Sequence, residues 1–167
     1  MSTNSMAARG AAANPLARFT NALFGIVPIS LTMLALRFAL AIPFWKSGLT
    51  KWDDYFTLSF GAKQLFVDEF KLHWFGGEYP FPYAELMATL SAIGEVTLPV
   101  LLALGLVTRY AALGLFVMTA IIQLTVPDGW ANFHLPWASM ALAIMTFGPG
   151  KAALDYALGI DGVPRRR

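Results

Sequence analysis

The sequence contains no cysteine, so this chain carries no disulfide, no thiolate metal site and no thiol redox relay of its own. Charge is scarce as well: 13% of the 167 residues are charged, roughly half the share of an ordinary soluble domain. The basic residues are scattered or terminal and the net charge is only +2, so the continuous basic stripe that a nucleic-acid partner requires is missing. Histidine occurs twice, at His73 and His134, too far apart in the sequence to form a metal-ligand spacing, and no metal site is expected.

What remains is apolar. Hydrophobic residues make up 57% of the chain, and the mean hydropathy is +0.58. The natural solvent for such a surface is lipid, and the length allows only a few spans of about 20 residues each in one domain. Residues 1–23 read as a flexible cytoplasmic tail, rich in Ala, Ser and Asn, with Arg9, Arg18 and no acids. Residues 24–158 hold four apolar runs: about 24–45, 83–106, 110–126 and 130–147. Residues 159–167 form a basic tail ending in Arg165, Arg166 and Arg167. The expected fold is therefore all-α, a membrane four-helix bundle. A secretory signal ending at Ala39-Leu40-Ala41 is the competing reading of the first run, but Arg37 just ahead of that point is wrong for a signal's apolar region.

A long polar and aromatic connection joins the first two runs, and within it Leu65, Phe66, Phe70 and Trp74 recur at roughly helical spacing. That pattern predicts a short interfacial helix over 62–74, followed by a turn at Gly76-Gly77. The later connections are so short that the last three helices must be antiparallel neighbours. Arg9, Arg18, Arg109, Lys151 and the terminal arginines fall on one side of the membrane, against Lys46, Lys51, Lys63 and Lys71 on the other. Positive charge collects in the cytoplasm, so both termini are expected there, with Trp45, Trp52, Tyr79, Tyr83, Trp130 and Trp137 forming the outer aromatic belt.

Two charges stand inside apolar runs. Arg37 in the first needs a partner, because a guanidinium at mid-span costs at least about 2.5 kcal/mol on insertion scales. Glu95 in the second is the expected one, and the pair is either an architectural ion pair or a polar site for an anionic or quinone-like head group. A second polar group is expected at the outer mouth: Lys46, Glu85, Gln123, Asn132 and His134, one or more from each run, with Gly48 and Lys51 beside Lys46 as further binding candidates there. His134 reads either as a proton carrier near neutral pH or as a hydrogen-bonded cap. Gly94, Gly105 and Gly114, with neighbouring alanines, suit close helix packing and permit a homo-oligomer.

The runs LALRFALAIPFWKSGLTKW, IGEVTLPVLLALGLVTRYAALGL and LPWASMALAIMTFGPGKAALDY, in that order, resemble the DoxX family of small four-span bacterial membrane proteins. The resemblance covers roughly residues 30–160, and the matched positions are Arg37, Gly48, Lys51 and Glu95. It implies a multi-pass protein of the bacterial cytoplasmic (inner) membrane that supports a quinone-linked or sulfur and oxidative-stress redox process. No covalently bound cofactor is expected, and quinone is the one such a role admits. With no haem-ligand pair or nucleotide motif in the chain, a protein partner would carry the cofactor. Two further readings stand beside it: a transporter or accessory protein for a small solute or metal-handling partner, without electron transfer, and a scaffold whose ion pair is structural.

Overall fold

The computed structural model describes residues 14–54 and 56–160. Helix α1, Pro15–Phe24, opens it, with the Asn14 side chain accepting from the Leu16 amide and Pro15 at the first helical position. Residues 15–23, expected within a flexible tail, are thus helical; residues 1–13 and 161–167 lie outside the described residues. Pro28 separates α1 from α2, Ile29–Leu49, so the first long helix starts five residues later than the apolar run suggests, from 24 to 29.

The connection after α2 is a small folded unit. Strands β1, Trp52–Asp54, and β2, Thr57–Leu58, pair antiparallel. Helix α3, Phe60–Gln64, is capped by the Ser59 hydroxyl and runs on into a π turn, Leu65–Glu69. The expected interfacial helix over 62–74 therefore ends at Glu69, and Lys71–Trp74 is instead strand β3, paired antiparallel with β4, Gly77–Pro80. The turn that closes this hairpin is Phe75-Gly76, one residue earlier than the expected Gly76-Gly77, and both residues take the left-handed backbone that a tight turn demands, with φ +46 and +78. His73 pins the hairpin to the end of α5 through its Nδ1, 3.1 Å from the Leu124 carbonyl oxygen.

Helices α4, Ala84–Leu104, and α5, Thr108–Thr125, follow. A 3₁₀ turn, Pro127–Gly129, and a π turn, Trp130–His134, lead without a break into α6, Leu135–Phe147, and α7, Leu154–Leu158, closes the chain. Among the described residues three helices, α2, α4 and α5, are long and apolar enough to cross a membrane. Helix α6 has 13 residues and reaches that length only together with the π turn before it. Helix α2 packs on α4 and α6, and α5 packs on the same two, so the four close into a ring.

Its core is Leu40, Phe44, Leu102, Leu115 and Ile144, with Ala41, Ala111, Ala112 and Ala141 where backbones approach. A second cluster, Leu58, Ala62 and Phe66 against Ala88 and Ala92, seats the connection on the first half of α4. Helix α4 consequently overhangs α2 at this end of the ring, and the two are staggered rather than level.

Candidate functional site

The stagger decides which charges meet. Gly48 packs against the Glu95 backbone so closely that a Cβ there would stand 2.8 Å from the Glu95 carbonyl oxygen. Pro99, four residues on, brings no amide for that carbonyl, which leaves it facing α2. Arg37 lies eleven residues before Gly48 on α2, hence about 16 Å further along the axis. The expected Arg37 and Glu95 pair is therefore not formed, although both side chains are buried.

Arg37 instead binds backbone. Its Nε donates to the Leu102 carbonyl at 2.8 Å and Nη2 to that of Ala103 at 2.6 Å, while Nη1 donates to Pro149 at 3.1 Å and Ala152 at 2.9 Å. These are carbonyls of the last turn of α4, that of Leu102 shared with the Gly105 amide, and of the loop after α6; a cation at the end of α4 is favoured by the helix dipole. Gly105 ends α4 with φ +71, and a Cβ there would come 2.9 Å from the Arg37 Cζ and 2.5 Å from the Ala153 Cβ. Asp155, buried on α7, accepts from the Val107 and Thr108 amides at 2.7 Å each and caps α5. This end of the ring is a clamp: the guanidinium and the Asp155 carboxylate are spent on backbone, while the buried Thr108 hydroxyl beside them has no hydrogen-bond partner among the described residues.

Glu95 is paired with Lys51, Nζ to Oε2 at 2.5 Å, and its Oε1 accepts from the Ser91 hydroxyl at 2.9 Å. Lys51 Nζ also donates to Ser47 Oγ at 3.0 Å. The carboxylate is thus satisfied on both oxygens, as a buried charge must be. An ammonium has three donors and two are used here, so one remains for another acceptor.

This cluster is the polar corner of a cavity of about 400 Å³. Its other walls are apolar and largely aromatic: Phe44 and Trp137 from α2 and α6, Met118 and Ile122 from α5, and Phe66, Phe70 and Phe81 from the connection. Phe66 contacts both Phe70 and Phe81, with ring centroids 5.2 and 5.3 Å apart, so the connection forms a roof of interlocked rings. Leu90 on α4 and Ile121 on α5 line the cavity and are also exposed, so it opens sideways between these two helices.

The remaining outer-mouth candidates divide. Gln123 and His134 form a separate pair, Oε1 to Nδ1 at 2.6 Å, with His134 buried beside Trp137 and under Gly129. Lys46, Glu85 and Asn132 are exposed and join neither group. The expected convergence of all these residues on one mouth is thus corrected: Lys51 and Glu95 line the cavity, Gly48 packs against the Glu95 backbone, Gln123 and His134 stand next to the cavity, and three face outward. Ser47, Ser91 and the roof aromatics escaped sequence reasoning. The two serines carried a signal, since each lies four residues before the charge it supports and so on the same helical face; the roof aromatics did not. Among the described residues no three His, Asp or Glu side chains converge as a metal site would need.

The family model described as DoxX matches residues 32–128 of this chain, a segment that takes in Arg37, Gly48, Lys51, Glu95 and all of α4 and α5. A Haemophilus influenzae protein described as uncharacterized is 28% identical over 139 residues, which cover 74% of this chain and 81% of that protein. No solved structure matches the chain.

Proposed function

We propose a function for this chain from one premise: it belongs to the DoxX family. The chain is a subunit of the bacterial cytoplasmic membrane that holds the ring of a quinone in the cavity under the connection, while a protein partner carries the cofactor that exchanges electrons with it. Helices α2, α4 and α5 and the helical run from Trp130 to Phe147 are its four spans. Both termini are cytoplasmic, and the connection with its cavity lies at the outer face.

The observation that carries this reading is the chemistry of the cavity: apolar, aromatic walls around a single buried polar corner, Lys51 with Glu95, Ser47 and Ser91. Ligand pockets for apolar molecules have this composition, in which a few polar groups fix orientation. Lys51 supplies the free donor for a carbonyl oxygen, and Glu95 holds the ammonium in place. The opening between α4 and α5 faces lipid, which suits a head group whose tail stays in the bilayer. Bound there, a quinone supplies two-electron, two-proton redox chemistry. The chain's own part is to orient the ring, exclude water with the phenylalanine roof and keep an ionisable pair beside it.

Titration of a short-chain quinone into the protein in lipid nanodiscs, read by quenching of tryptophan fluorescence, should be saturable. Lys51→Met should weaken it at least about tenfold, a loss of roughly 1.4 kcal/mol. Absence of saturable quenching, or equal affinity in the variant, would sink the proposal. Solute flux through protein-loaded liposomes without any redox change would favour transport instead.

A further inference from the structure

Helix α1 turns three large apolar side chains, Leu16, Phe19 and Leu23, to one face, at the three- and four-residue spacing of a helical stripe. Arg18 and Asn21 lie on the other. All of these are exposed: Leu16 and Phe19 by 65% each and Leu23 by 49%. The stripe does not stop with the helix. Phe24, Ile26, Val27 and Ile29 are also exposed, and they carry the apolar surface through the four residues Gly25 to Pro28 onto α2, a helix long and apolar enough to cross a membrane.

We propose that α1 lies flat in the bilayer surface, at the boundary of head groups and acyl chains in the leaflet where α2 begins, with Phe19 and Leu23 toward the acyl chains. Three observations favour lipid over a protein partner as the occupant. The face is continuous with the surface of a membrane span, so it reaches the bilayer without any change of conformation. Its polar side carries a cation, and no Asp or Glu occurs anywhere in residues 1–52, so nothing repels anionic phosphates. Leu16, Phe19 and Leu23 also meet the composition of an interfacial helix, large apolar side chains opposite a polar side that here holds Arg18 and Asn21. The proposal does not depend on the cavity's ligand.

Because the chain has no cysteine, single spin labels can be placed on the full-length protein without removing a background. Labels at Ala17→Cys, Phe19→Cys, Asn21→Cys and Leu23→Cys, in vesicles of phosphatidylcholine and phosphatidylglycerol, report relaxation by oxygen, which partitions into acyl chains, and by a water-soluble nickel chelate. Positions 19 and 23 should favour oxygen and positions 17 and 21 the chelate. Equal access of the chelate to all four would overturn the proposal, as would shielding of 19 and 23 from both reagents, which would place another protein chain on that face.

Discussion

At the scale of single residues, the two charges inside the spans solve the same problem differently. Arg37 is neutralised by dipoles, four backbone carbonyls at the end of one helix and in one loop. Glu95 is neutralised by a cation, Lys51, with a hydroxyl on its second oxygen. Removing the cation alone strands a buried carboxylate, so Lys51→Met should lower stability in detergent by about 3–5 kcal/mol. The double variant Lys51→Met with Glu95→Gln should recover most of that loss in the same thermal unfolding measurement. A double variant no better than the single would mean that Lys51 acts through packing and not through its charge.

Sequence was a good guide to which residues these would be and a poor guide to their partners. Arg37 and Glu95 stand out as charges inside apolar runs, and Gly48 and Lys51 as positions that the DoxX resemblance matches. Pairing Arg37 with Glu95 assumed that α2 and α4 end level. The assumption fails because the connection folds along α4 and lifts its start beyond the end of α2, and nothing local in either helix encodes that displacement.

At the scale of elements, the α2 and α4 contact is the one on which the cavity depends. Gly48 permits it, and Pro99 leaves a carbonyl facing it. Gly48→Ala should push the helices apart and lower the unfolding temperature, at a cost of about 1–3 kcal/mol for an overpacked contact. Quinone affinity should fall with it, because Lys51 and Glu95 sit on opposite sides of that contact; unchanged stability and affinity would show that α2 absorbs the methyl elsewhere.

The apolar runs were legible as helices because their length and composition leave few alternatives in lipid. The connection was not. Of the helix expected over 62–74, residues 62–69 are helical, whereas Lys71–Trp74 became a strand because the Phe75-Gly76 turn offers it a partner, β4. A hydrophobic pattern too short to choose between periods is settled by what lies across the turn.

At the scale of the whole molecule, the clamp and the cavity occupy opposite ends of the ring, and the proposed topology puts the clamp inside the cell. A cysteine at Glu78 in the hairpin should react with a membrane-impermeant maleimide in intact cells, and one at Lys151 only after permeabilisation. The reverse pattern would invert the orientation while leaving the fold as it is.

The clamp also bears on how the protein is made. Two of the four acceptors of Arg37, Pro149 and Ala152, lie 112 and 115 residues downstream of it. While the ribosome is still adding α5 and α6, the guanidinium already sits in the bilayer with half its hydrogen bonds unmade. Helix α2 is therefore locked only once the segment after α6 is in place, so the guanidinium ties the chain's first long helix to the stretch that follows its last one.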